Sequence, residues 1–527
     1  MNDILYNKED SKEINLCVLN AITKKFNDDY IVLYVGISEE NSIFIRAIDK
    51  EDKYYEKLFP YTDIAQYFLD ILNNIIFIYD YLKKEINGLK YNDDKTKINF
   101  FFQILNANTG RQEEKKFSLH LKSNPKDILI IKNIEEINKI NQFNKIYASN
   151  LSLFDKSILL YKKNINNKGF YELCQLKLNV SIINLDDNKI SNLNPITNDI
   201  AQNIRKLSLK RNSINDITNL NNLNFNNLLD LQLSSNKISD ITVFSKVEMA
   251  NIQSIFLNNN VISDITCIKE LNFKKLKTLN LSNNSIKFID SLKESNFVNL
   301  IYLDLSKNNI VDVSIFEKFE LDNLQFLDLS QNEIEKINVG KKLSFSSLKH
   351  IDICHNNIKE VIVDGKISLP NLTKLNLSFN LIETIIIKNK IKLKKLHILN
   401  LKHNKIENTS FFENLETKNL RHLILGFNEI ANIENLEDIV SKKISNLELN
   451  NNKISDIRAL KNMSLNLLQF LDLSHNLIKN IKSLENLNIP EMKTLIISNN
   501  LLLYAQQKNI DIFDNLKLLF PNLNIIL

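Results

Sequence analysis

The sequence predicts an α/β solenoid, a curved array of 24-residue coils with a parallel sheet on its concave side, preceded by a small α+β domain. Three observations lead there. Asn188, Asn212, Asn236, Asn260, Asn284, Asn308, Asn332, Asn356, Asn380, Asn404, Asn428, Asn452, Asn476 and Asn500 stand on one comb of period 24 with no insertion or deletion. The residues three and five before each Asn are Leu or Ile in all fourteen coils, and the residue two after it is Ile in thirteen and Leu502 in the last. At 527 residues the chain exceeds one ordinary globular domain, yet it holds only 7 Gly and 6 Pro, too few for long flexible linkers.

Residues 1–125 show no repeat. Ile31–Val35 and Ser42–Arg46 read as two strands, and Ile98–Phe102 and Phe117–Leu121 as a second hairpin across Asn106–Gln112. Residues 62–87 carry helical spacing with an N-cap at Thr62 or Asp63. A small α+β domain of no recognisable type is expected. Residues 126–180 are apolar but off the comb, and Asn164, though in phase, has Tyr161 where a leucine belongs; an N-terminal cap or degenerate repeats are expected.

The array proper should run over 181–503. Leu303 and Leu305 alternate with Tyr302, Asp304 and Ser306, the period-two pattern of a strand with one buried face. The comb Asn then turns the chain inward, where its amide satisfies backbone groups left unpaired by the bend; a buried unpaired group costs ~1–3 kcal/mol. The following Ile continues the core, often with a second apolar residue three further on, such as Ile217, Ile241 or Ile265. Phe225, Phe273, Phe297 and Phe345, thirteen residues past their Asn, form a partial spine, with Leu321, Leu369, Leu393 and Leu465 in that place elsewhere. Irregular or helical segments should cover the outer side. Residues 504–527, ending Phe520-Pro521-Asn522-Leu523, read as a C-terminal cap of one helix and a short strand.

The pattern LxxLxLxxNxI, as in Leu228-Leu231-Leu233-Asn236-Ile238 and Leu300-Leu303-Leu305-Asn308-Ile310, resembles the leucine-rich-repeat family. The extension Asn-x-Ile-x-Asp-Ile at Asn212–Ile217, Asn236–Ile241, Asn260–Ile265 and Asn452–Ile457 is similar to the short intracellular class typified by a protein-phosphatase regulatory subunit, and to bacterial internalins. The resemblance covers roughly residues 180–505 and implies a curved repeat scaffold. The period of 24 departs from the ~22 of that class, so phosphatase regulation is an alternative and not the first reading.

Composition narrows function further. Residues 1–170 carry 25 Lys+Arg against 24 Asp+Glu and the remaining 357 carry 42 against 38, so no one-sided basic footprint for nucleic acid is present. No stretch of ~18 apolar residues suggests a membrane span. Cys17, Cys174, Cys267 and Cys354 lie far apart without a CxxC pair, and the N-terminus lacks the apolar core of a signal peptide. A cytoplasmic protein with reduced thiols is expected, with a nuclear location or export as an effector also consistent. The seven glycines are isolated, and no phosphate loop, HExxH or GxSxG motif occurs; neither catalysis nor a cofactor is expected.

The comb assigns the inner surface. Residues six, four, two and one before each Asn should face the concave side. Six before come Tyr302, Phe326, His350 and Lys374; four before come Asp304, Asp328 and Asp352; one before come His355, Phe379, His403 and Phe427. Five of the seven histidines (His350, His355, His403, His422, His475) fall on these positions. Aromatic groups exposed on a rigid sheet anchor partners, and an acidic ladder beside them would suit a basic partner surface. Tyr302, Asp304, Phe326, Asp328, His350, Asp352, His355, Phe379, His403 and Phe427 are therefore the expected contacts for a protein partner. The plainer reading is ordinary solvated strand positions. His350, Asp352 and Cys354 alternate along one strand, ~6.5 Å apart, so a metal site would need ligands from neighbouring coils. The function expected is a binding scaffold or adaptor; the alternative puts an enzyme-like or effector activity in residues 1–125 with the repeats recognising the target.

Overall fold

The computed structural model describes seven strands within residues 16–122, residues 139–147, Leu151, and residues 156–527 apart from 177, 222, 272, 319–320 and 503–506. Contacts divide the chain into two units, residues 1–158 with 168–180, and residues 159–167 with 181–527.

In the first unit the described strands are β1 (Leu16–Phe26), β2 (Asp29–Ser38), β3 (Ser42–Ile48), β4 (Tyr54–Pro60), β5 (Ile86–Tyr91), β6 (Lys97–Leu105) and β7 (Gln112–Lys122). They form one sheet in the order β1-β2-β3-β4-β7-β6-β5, with antiparallel pairs throughout. Both expected hairpins are present: β2 meets β3 with Val35 opposite Ile45, and β6 meets β7 with Phe100 opposite Phe117. The helical spacing read over 62–87 lies outside the described residues, except that Ile86 and Asn87 belong to β5.

The second unit is the repeat. Fifteen strands, from Ile182–Asn184 to Asn524–Ile526, lie side by side in parallel in one sheet. Through Thr494–Ile496 each residue pairs with the one 24 further on, as Leu303 with Leu327 and Leu327 with Ile351. At the end the helix Gln507–Leu519 intervenes, and Thr494 pairs with Asn524 instead. Residues 159–167 continue the ladder below Asn188: Leu160 N–H donates to the Asn184 carbonyl, and Ile165 is fully buried.

The comb Asn is a two-coil clamp. Asn332 Nδ2 donates to the carbonyls of Leu305, one coil back, and Leu329 in its own coil, both at 3.0 Å. Its Oδ1 accepts the Ile310 N–H at 3.0 Å. The same three bonds recur from Asn212 to Asn500. The bend they hold places the preceding residue in the left-handed region, with φ between 49° at Arg211 and 58° at Phe427. That conformation costs roughly 1–2 kcal/mol outside glycine, and in an isoleucine-rich chain none of these fourteen residues is β-branched.

The outer side has two designs. In eight coils the residue four past the comb Asn is an Asp or Asn whose side-chain oxygen accepts the N–H two residues on and opens a 3-10 turn, as Asp216 with Thr218 and Asp240 with Thr242, both at 2.8 Å. Asp264, Asp312, Asn408, Asn432, Asp456 and Asn480 do likewise. In the coils of Asn332, Asn356 and Asn380 that place holds Lys336, Glu360 and Thr384. With no cap and β-branched runs such as Val361-Ile362-Val363 and Ile385-Ile386-Ile387, these segments become strands. Lys336–Val339, Glu360–Val363 and Thr384–Ile387 pair in parallel as a second small sheet. The expectation of irregular or helical outer segments is thus corrected for three coils. The spine is as expected: Phe225, Phe297 and Phe345 are 1–2% exposed. A second asparagine ladder, fifteen past the comb, went unread. Asn251, Asn299, Asn323 and Asn371 each donate Nδ2 to a carbonyl of the preceding coil.

Candidate interaction surface

Two aromatic columns run along the sheet, one at each edge of the strands. At the entry edge, six residues before the comb Asn, Tyr302 and Phe326 stack with ring centroids 4.7 Å apart and planes 7° from parallel. His350 meets Phe326 edge-on at 5.9 Å and 83°. At the exit edge, one residue before the Asn, His355, Phe379, His403 and Phe427 form one stack with centroids 4.3, 4.3 and 4.0 Å apart. These spacings lie below the ~4.8 Å repeat of neighbouring strands, so the rings are in face-to-face contact from coil to coil. Phe379 is 42% exposed. His350 and His355 are exposed, and Tyr302, Phe326, His403 and Phe427 half-buried.

The columns follow from the repeat. A parallel in-register sheet places every 24th residue beside its equivalent, so like side chains at one comb position must touch. The left-handed residue before the Asn projects its side chain out of the turn, and only coils 356 to 428 place rings there in succession. Lys402 Nζ stands 5.2 Å from the Phe427 ring centroid, a cation facing an aromatic ring that the sequence reading did not find. Burial, with Lys402 and His355 nearby, lowers the His403 pKa; burial, with Lys374 and Lys349, lowers that of His350.

The acidic ladder differs from expectation. Asp304 is 8% exposed, and its Oδ1 accepts from the Ser306 N–H at 3.0 Å and hydroxyl at 2.7 Å. Its Oδ2 accepts from Asn280 Nδ2 at 3.0 Å. Asp328 accepts from the Ser330 N–H, and Asp352 from the Cys354 N–H and from Asn376 Nδ2. The three carboxylates therefore serve the sheet, each closing the turn two residues on, and Asp304 and Asp352 also tie neighbouring coils together. Burial, with Asp304 and Asp352 on either side, raises the Asp328 pKa. Positions four and two before the Asn are largely covered in these coils, so the accessible strips are the two edges and not all four positions. Between them Ser306, Ser330 and Ser378 are buried.

Of the other sequence-marked groups, His422 is half-buried and His475 faces Asn499 with its ring nitrogen 3.1 Å from the amide. Among the described residues no three His, Cys, Asp or Glu converge as a metal site. Burial and the Asp352 contact push the Cys354 thiol up to about 12. Gly426 is where the neighbouring coil leans in: an added Cβ would collide with the Asn450 side chain.

The repeat model described as "Leucine rich repeat" matches residues 274–334, 322–382 and 346–406. A comparison with curated protein sequences finds no match. Among solved structures, an internalin from Listeria monocytogenes is similar at 20% identity and a TM-score of 0.41, over 73% of this chain and 88% of that one. The LRIM1/APL1C complex is similar at 19% identity and 0.45, over 62% and 54%. The ectodomain of the Arabidopsis receptor kinase HAESA, solved with a peptide hormone ligand, is similar at 17% and 0.39, over 71% and 68%. Among the described residues no helix is long and apolar enough to cross a membrane.

Proposed function

We propose that this leucine-rich-repeat protein is a binding scaffold that holds a protein partner against its two aromatic columns. The observation that carries the reading is the uninterrupted stack of His355, Phe379, His403 and Phe427. Rings held by a hydrogen-bonded repeat have already lost their rotamer freedom, so a partner that covers them pays little ordering cost. Aromatic side chains on such a surface are the residue types that dominate interface energetics. Tyr302, Phe326 and His350 supply a second anchor strip, and the buried polar row between the strips has its hydrogen bonds made internally. Asp304, Asp328 and Asp352 act in this reading as the frame that fixes the strips, with their negative potential favouring a partner that carries basic groups. Cys174, Cys267 and Cys354 are free thiols, which suits a reducing cytoplasmic compartment.

The test is affinity capture with the full chain, comparing wild type with a Phe326→Ala/Phe379→Ala/Phe427→Ala variant whose circular dichroism matches wild type. A partner retained by wild type and lost by the variant supports the reading. Identical partner sets from the two would overturn it and move attention to residues 1–125.

A further inference from the structure

We propose that the interior of the coils of Asn332, Asn356 and Asn380 is a binding site for a small uncharged apolar molecule, about the size of a six-carbon ring. These coils line a cavity of about 150 Å³, to which the coil of Asn404 adds Leu399, Leu401, Phe411 and Leu415. Its wall is entirely apolar, and Ile337, Val363, Leu369, Leu375, Ile387 and Leu393 are among the residues forming it. Water needs two to four polar partners to occupy such a space, and a cavity of ~150 Å³ lined by Leu, Ile and Phe stays dry and takes up benzene or xenon.

The sequence explains why the space exists here. In the coils from Asn212 to Asn332 and in that of Asn404 phenylalanine fills the interior, either at the spine (Phe225, Phe273, Phe297, Phe345) or from the 3-10 turns (Phe244, Phe316, Phe411, Phe412), and all eight are buried, with Phe411 lining one end of the cavity. The coils of Asn428, Asn452 and Asn476 lack an interior phenylalanine, but there 3-10 turns bury Leu436, Leu460 and Leu484. Between Phe345 and Phe411 the chain contains one phenylalanine, Phe379, and that ring is on the surface. The spine positions there are Leu369 and Leu393, and the outer segments are strands of Val and Ile instead of 3-10 turns. Leu375 records the consequence. It alone, of the fourteen Leu and Ile residues five before a comb Asn, is half-buried; the other thirteen are 8% exposed or less. On the outer side the wall is one side chain thick, since Ile337, Val361 and Ile385 line the cavity and are themselves half-buried. With no polar atom in the wall, a charged or hydrogen-bonding ligand would lose its hydration without return. Shape and chemistry both select a compact hydrocarbon. This site lies within the coils and does not depend on the aromatic columns.

The experiment uses the full chain with benzene and xenon as probes and benzoate as the charged control. Benzene at ten times its dissociation constant should raise the folding equilibrium constant about elevenfold, seen as a saturable rise in Tm, and benzoate should leave it unchanged. Crystals pressurised with xenon should show a peak between Val363, Leu369 and Leu375. Leu369→Phe installs the spine residue that four other coils carry, and should abolish both effects. Absence of a benzene-dependent shift and of a xenon peak in the wild type would overturn the proposal, whether or not the variant folds. So would a Leu369→Phe protein, folded by circular dichroism, that responds to benzene as wild type does.

Discussion

Phe379 and His403 lie face to face across two adjacent coils, ring centroids 4.3 Å apart and planes 18° from parallel. Each residue sits in the left-handed turn, so the contact is fixed by the backbone and needs no rearrangement to form. A Phe379→Ala/His403→Ala double-mutant cycle should return a coupling of ~0.5–1.5 kcal/mol, typical of aromatic pairs beyond their buried area. Chemical denaturation of the four proteins measures it, and additive losses would show that the rings merely neighbour one another.

Removing one tooth of the comb should be costlier. Asn356 donates to the Leu329 and Ile353 carbonyls and accepts the Ile334 N–H, so Asn356→Ala leaves the Ile334 N–H without this partner and takes one bond from each carbonyl, which keep Asn332 and Asn380 respectively. The unsatisfied N–H costs ~1–3 kcal/mol and each lost bond ~0.5–1.5 kcal/mol, so a loss of at least ~2 kcal/mol is expected in urea unfolding. Asn356→Asp should be at least as costly, since its buried carboxylate still accepts the Ile334 N–H but sets a negative charge against two carbonyl oxygens with no proton to donate.

That clamp was legible in the sequence because a polar residue that never varies in phase, set among Leu and Ile, has to be satisfying the backbone. The spine was legible for the same reason. The left-handed residue before each Asn could have been found too, from the absence of β-branched residues at that place in an isoleucine-rich chain. What the comb could not reveal was how neighbouring polar side chains use one another. Asp304 and Asn280 each look solvated alone, and only the 24-residue stacking brings them within 3.0 Å. The outer strands were hidden because their signal combines a missing cap at Lys336, Glu360 and Thr384 with runs such as Val361-Ile362-Val363; Phe288 lacks the cap too, and its segment stays a 3-10 turn.

Asp328 should give the surface a measurable pH dependence. Its folded pKa is raised above the ordinary value of 3.8, chiefly by burial, so the folded state holds its proton more tightly than the unfolded chain. Stability from this group is therefore greatest below 3.8 and falls as pH rises through the folded pKa. Asp328→Asn, matching Asn280 and Asn376 at the same position, should raise Tm at pH 7 and lose that advantage as pH falls through the folded pKa towards 3.8. A pH series of thermal melts on both proteins checks it, and an advantage that grew on acidification would contradict the assigned cause.

Coil 404 carries a removable defect. Thr409 stands where other coils place Ile217 or Ile241, Thr417 stands on the spine, and neither buried hydroxyl has a hydrogen-bond partner. Thr409→Val and Thr417→Val keep the shape and remove the unmet hydroxyl, so each should stabilise by ~1 kcal/mol. Unchanged or lowered midpoints in urea would show that water or a neighbour satisfies them.

Site-specific photo-crosslinking reads directly whether the exit-edge rings touch the partner. A photoreactive phenylalanine replaces Phe427 in the stack or, as the control, Phe288, which is 67% exposed and outside both columns. A covalent adduct with a partner protein is expected from position 427 and none from 288. Adducts from 288 alone, with position 427 silent in a folded protein that still captures the partner, would contradict it.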